Sequence, residues 1–128
     1  MIRDLEDKDM QEIFSIHNEQ GFEYALPEFS SPLVLVKKVR VENGRVVGAM
    51  FLRLTAEAFL LVEGSPIQKA RSIEELQPEV DREAFVKGLD EYVCVVPPEI
   101  AETFAPVLEK RGFEKLREWP LWQRSLNA

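Results

Sequence analysis

Leu33-Val34-Leu35-Val36-Lys37-Lys38-Val39-Arg40-Val41 and Arg45-Val46-Val47-Gly48-Ala49-Met50-Phe51-Leu52-Arg53-Leu54 lie on either side of Asn43-Gly44. Both runs are rich in β-branched and apolar residues, which suit a pleated, half-buried surface. Asn-Gly accepts the left-handed backbone of a two-residue type I′ turn, so the stretch predicts a β-hairpin. Gly48, inside the second strand, marks a bulge or a close backbone approach. After Thr55-Ala56, the run Ala58-Phe59-Leu60-Leu61-Val62 has the length and apolarity of a central strand. It predicts a third strand beside the hairpin and hence a meander.

Working outward toward the N-terminus, Ile2 and Leu5 suggest a short opening strand. Asp7 is placed to cap a helix over residues 8–20, with Gly21 as its stop. Met10, Ile13, Phe14 and His17 fall on one stripe of that helix. Residues 22–32, with three aromatics and two prolines, predict an irregular loop. On the other side, Ser65, Pro66 and Gln68 form a helix start, with Ser65 as cap and Gln68 closing a capping box. Ile73, Leu76, Val80 and Ala84 continue that helix's apolar face toward Leu89, while Pro78 predicts a kink or two successive helices. Residues 92–96 read as a core strand. Pro98 opens a last helix along Ile100, Phe104, Val107 and Leu108, bent near Pro106 and ended by Gly112. Residues 113–126 predict one or two short closing strands around Pro120.

The 128 residues suit one domain, residues 1–128. Hydrophobic residues make up 45%, enough for a core at this length. The net charge of −7 repels a phosphate backbone or an anionic lipid surface, so neither nucleic acid nor membrane is an expected partner. Lys37, Lys38 and Arg40 do not overturn this balance, because they read as the wet face of a strand. No apolar stretch approaches membrane-spanning length, and the N-terminus runs straight into acidic residues. One cysteine, Cys94, precludes an internal disulfide and suits a reducing, cytoplasmic setting. With one histidine and one cysteine, a dedicated zinc site is not expected.

Four sequence features bear on family. They are Ile2-Arg3 with Asp9, Gly44-Arg45-Val46-Val47-Gly48, Leu60-Leu61-Val62, and Lys110-Arg111-Gly112-Phe113. In this order, and with the alternation of elements above, the chain resembles the GNAT superfamily of acyl-CoA-dependent N-acyltransferases. The resemblance implies an α/β (α+β) domain with a mixed, mostly antiparallel central sheet of about six strands and helices on both faces. It also implies that the strand ending at Val62 splays from the one at residues 92–96. Pantetheine of acetyl-CoA or another acyl-CoA would lie in the gap, its pyrophosphate on the following helix N-terminus. Val62, Glu63, Ser65 and Lys69 are the cofactor-binding residues that this implies.

The family's pyrophosphate motif is Gln or Arg, two residues, Gly, one residue, then Gly or Ala. Gln68-Lys69-Ala70-Arg71-Ser72-Ile73 is the nearest frame, with Arg71 and Ile73 in the small-residue positions. Leu108 stands where the family's tyrosine general acid would be, and an aliphatic group has no proton to give a departing thiolate. Ala101 stands where the family often has asparagine. No catalytic residue is therefore assigned, and no metal is implied.

Glu63 suits either a base near the splay or a solvated loop acid, and Glu57 the same with less to favour it. His17 reads as a core-edge histidine with one ring nitrogen satisfied. Cys94, among valines, reads as a small buried hydrophobe. Phe22, Tyr24 and Phe29 anchor their loop or contact an acceptor, with Glu23 and Glu28 favouring a cationic amine. Trp119 and Trp122 either plug the sheet end or form an exposed patch that pairs two chains into a homodimer. Two functions follow: acyl transfer from acyl-CoA to a small amine, or a catalytically inactive GNAT-fold binding or assembly module.

Overall fold

The structure is a computed structural model that describes residues 1–116 and 121–126. Its contacts divide the chain into two units, Met1–Val93 and Cys94–Ala128, each taken by itself below. The fold is mixed α+β.

In the first unit, β1 (Ile2–Asp4), β2 (Val34–Glu42) and β3 (Arg45–Arg53) form an antiparallel sheet in the order β1-β2-β3, with β3 as an edge. The hairpin forms as the sequence predicts. Asn43 and Gly44 both take left-handed backbone, with φ of 53° and 74°. Val39 lies opposite Ala49, and Arg40 opposite Gly48. A register shift falls between Arg40 and Val41, so the irregularity is next to Gly48's partner. β1 adds its edge to β2 with Arg3 opposite Val39.

α1 (Met10–Gln20) follows a 3-10 turn at Asp7–Asp9 and stops at Gly21, which has φ of 70°. Ile13 of α1, Phe29 of the loop, Val39 and Val46 form the buried cluster, with Leu5, Met10 and Phe51 packed around it. Val39 is the most enclosed, at 1% exposure. Phe29 meets Phe51 edge-on at 4.6 Å between ring centres. Glu12 ties the helix to the sheet by accepting the Val46 N–H at 2.6 Å.

Several expectations are corrected. The carboxylate at the start of α1 is that of Asp9, which accepts the Glu6 N–H at 2.8 Å, and Asp7 does not cap the helix. α2 (Pro66–Val86) runs unbroken through Pro78. Pro78 is solvent-exposed, so the Glu74 carbonyl that it leaves without an intrahelical donor has water available. Only Ile73 of the predicted α2 stripe is buried.

The third meander strand is also different. β4 (Ala56–Ala58) pairs with β5 (Tyr92–Cys94) in a separate two-stranded sheet rather than with β3. The end of β3 is bound to the approach to β5, because Arg53 grips both Asp90 oxygens at 2.7 Å and Glu91 at 3.1 Å. Pro97 and Pro98 follow closely and have no N–H for a ladder, which limits β5 to a short strand. Strand structure over residues 59–62 is therefore absent, and the described residues hold five short or medium strands in two sheets instead of one six-stranded sheet.

The second unit contains a 3-10 turn at Pro98–Ile100 and α3 (Ala101–Lys110), which accommodates Pro106 in its interior. The chain turns at Gly112, with φ of 88°. Closing strands do not form in residues 113–116 or 121–126. Trp119 and Pro120 lie outside the described residues, and Trp122 is 94% exposed. Among the described residues, no helix is long and apolar enough to cross a membrane.

Candidate functional site

The sequence points to the junction between β4 and α2. There the main chain leaves the ladder after Ala58 and reaches α2 through residues 59–65. Phe59 and Leu61 are almost fully exposed, and Val62 is partly buried. Glu63 is exposed, and Gly64, with φ of 110°, makes the turn into the helix. Only glycine fits there without strain, since a Cβ would run into the Gln68 side chain.

Ser65 and Gln68 cap α2 reciprocally. The Ser65 hydroxyl accepts the Gln68 N–H at 3.3 Å, and the Gln68 carbonyl oxygen accepts the Ser65 N–H at 2.7 Å. Pro66 supplies no N–H, and the Lys69 N–H bonds to the Ser65 carbonyl at 2.9 Å. Of the main-chain donors that usually receive an anion at a helix start, only the Ile67 N–H keeps no bond among those described. Lys69 and Arg71 are exposed on the first turns and provide the positive charge there. The structure thus brings Val62, Glu63, Ser65 and Lys69 close in sequence around one helix start, but with its hydrogen-bonding capacity largely spent on itself.

A second feature lies within residues 5–37. The start of α1 and the loop before β2 border a cavity of about 570 Å³. Its apolar lining includes Leu5, Met10, Phe14, Leu26 and Phe29. Glu6, Asp7, Glu28 and Lys37 supply the charge. The Lys37 ammonium donates to the Phe29 carbonyl at 2.8 Å and holds the loop over the sheet. Turn bonds from Ser31 N–H to the Glu28 carbonyl, at 3.0 Å, and from Leu33 N–H to the Ser31 hydroxyl, at 3.2 Å, fix the rim.

Arg3 of β1 and Asp9 at the start of α1 form an ion pair outside the cavity's lining. Arg3 donates through both terminal nitrogens to the two Asp9 oxygens, at 2.7 and 2.8 Å. The Arg3 hydrogen bonds, with the Glu6 N–H, hold the Asp9 carboxyl down at about 2. Lys38, bonded to Asp4 at 2.5 Å, lowers the Asp4 carboxyl on the opposite face of β1. Arg53 lowers Asp90 in the same way at the far end of β3.

Glu28, which the sequence associates with a cationic amine, is on the cavity; Glu23 is not among its lining residues. Phe22 and Tyr24 stack on each other with centres 5.8 Å apart, and Tyr24 meets His17 edge-on. His17 Nε2 donates to the Tyr24 carbonyl at 2.8 Å, the satisfied ring nitrogen that the sequence suggests. Asp7, Met10 and Phe14 are the cavity residues that sequence reasoning gave to capping and to the core. Their spacing fits a buried stripe equally well, so nothing in the pattern distinguishes the two. Cys94 is partly buried at the end of β5. Among the described residues, no group of His, Cys, Asp and Glu side chains is arranged to hold a metal ion. Comparison of the chain with protein-family models, with curated proteins and with solved structures finds no match in any of the three.

Proposed function

We propose that the chain is an acyl-CoA-dependent N-acyltransferase of the GNAT type, acting on a small amine. The observation that carries this reading is the end of β4 at Ala58, with exposed, unladdered main chain leading directly to a helix start. Such a segment offers N–H and C=O groups to a pantetheine arm, and Lys69 and Arg71 offer charge to its phosphates. With Leu108 in the acid position, catalysis would rest on positioning and on backbone donors to the thioester oxygen.

A second reading, a catalytically inactive GNAT-fold binding or assembly module, is favoured by one specific observation. The Ser65–Gln68 box and Pro66 leave little of the helix start for a pyrophosphate.

Melting curves with acetyl-CoA, followed by an amine-acetylation assay, separate the two. Saturation at about 100 times the dissociation constant adds about 2.7 kcal/mol to stability. A shift with turnover supports transfer, and a shift without turnover supports the binding module. An unchanged melting curve at millimolar acetyl-CoA removes the transferase and leaves the module without acyl-CoA as its ligand.

A further inference from the structure

We propose that the outer margin of β3 is where two copies of this chain pair, strand against antiparallel strand, about a twofold axis at Met50. The inference does not depend on acyl transfer.

The register decides which groups face outward. The Val41 N–H bonds to the Met1 carbonyl, and the Leu5 N–H to the Lys37 carbonyl. Lys37, Val39 and Val41 therefore turn their main-chain groups to β1. Their partners across the hairpin, Phe51, Ala49 and Val46, turn theirs away from β2. At Val46 the outward N–H is taken by Glu12. At Ala49 and Phe51 no main-chain partner lies on that side among the described residues. Laid antiparallel, Ala49 exchanges both main-chain bonds with Phe51 of the partner subunit, and Phe51 does the same with the partner's Ala49.

Side chains on this stretch fit the same axis. Met50 is 70% exposed and Leu52 49%, on the sheet face that carries Lys38 and Val36. Pairing sets Met50 against the partner's Met50, and Leu52 over the partner's Gly48, which has no side chain to oppose it. Charge selects the strand direction. Arg45 makes no ion pair among the described residues, whereas Arg53 holds both Asp90 and Glu91 and leaves its end net negative. Antiparallel strands bring the positive end of each copy toward the negative end of the other, and parallel strands put like ends together. A pair made this way uses the same patch twice, so the assembly closes at two. The contact is short, which places it among weak, reversible dimers.

Sedimentation of the full chain should show a monomer–dimer equilibrium with a dissociation constant between about 1 µM and about 1 mM. Met50→Lys sets two ammonium groups at the axis and should weaken pairing at least about tenfold, with the melting temperature in dilute solution unchanged. Position is tested by cross-linking in a Cys94→Ala background. Residues opposed at a non-hydrogen-bonded antiparallel site have Cα atoms about 4.5 Å apart, within the reach of a disulfide. Met50→Cys should therefore join two chains under mild oxidation. Val47→Cys, also exposed on β3 but off the axis, should do so far less. A monomer at about 1 mM, a dimer that Met50→Lys leaves unchanged, growth beyond two copies, or equal cross-linking from both positions overturns the assignment.

Discussion

Arg3 and Asp9 form a two-pronged ion pair across the β1–α1 connection, in which Asp9 is only 3% exposed and also accepts the Glu6 N–H. One carboxylate therefore organises the strand's exit, the 3-10 turn and the helix start. Its folded-state value of about 2 is below the usual aspartate value of about 3.9. A depressed carboxyl contributes stability that is complete above its unfolded value and disappears as pH falls through the folded one. Urea midpoints should thus hold near neutrality and drop between about pH 4 and about pH 2. Asp4 and Asp90 are shifted in the same direction and add to the drop. Arg3→Lys keeps the charge but loses the fork, and should lower the melting temperature by roughly 5 °C or more while flattening the acid limb. A variant that retains the full acid slope would show that the pair is not its source.

Val39→Ala probes the packed cluster directly. Val39 is sealed between α1 and the sheet, with Ile13, Phe29 and Val46 in the same cluster. Removing its branch leaves a void that those rigid neighbours cannot fill, at a cost of about 2 kcal/mol. The urea midpoint should fall with an unchanged slope, because the extent of unfolding is the same. A loss below about 0.5 kcal/mol would mean that the cluster collapses around the change.

Glu12→Ala tests the tie between helix and hairpin. The Val46 N–H donates to this carboxylate at 2.6 Å. Removing the acceptor leaves a donor at a buried position and should cost about 1–3 kcal/mol. Glu12→Gln keeps an oxygen in reach and should recover more than half of the loss. If both variants melt together, the bond is not what the alanine removes.

Ser65→Ala and Lys69→Glu separate helix capping from ligand binding at the start of α2. The first loses the hydroxyl that receives the Gln68 N–H and should cost about 1 kcal/mol of stability in the absence of ligand. The second leaves the cap intact. It should abolish the acetyl-CoA melting shift with little effect on the free protein. An undiminished shift in Lys69→Glu would place any phosphate contact elsewhere.

Local features were legible in the sequence to the extent that their chemistry is local. Asn43-Gly44 sets a turn through its own backbone preferences, and Ser65-Pro66-Gln68 caps a helix with groups three residues apart. Gly21 and Gly112 end their helices for the same kind of reason. The partner of β4 was not legible, because residues 56–62 are apolar enough for any sheet. A long-range ion pair, Arg53 with Asp90, ties the end of β3 to the approach to β5, and strand periodicity does not register it. Pro78 misled in the opposite sense, since its cost depends on whether the orphaned carbonyl meets water. The junction at Val62, Glu63, Ser65 and Lys69 follows from family likeness, and of the cavity only the loop residues Glu28 and Phe29 stand out in the sequence. Asp7 and Glu28 are 21 residues apart, and only the pinned loop brings them to one opening.

β3 has β2 on one side and no strand on the other among the described residues. Its free margin is a row of main-chain groups nine residues long, with Arg45 and Arg53 at the ends. Arg53 is paired with both Asp90 and Glu91, so one end of the margin is net negative, and Arg45 puts a positive charge at the other as a deterrent to a like strand from another molecule laid parallel to it. In concentrated solutions, colloidal behaviour should therefore be sensitive to charge at position 45.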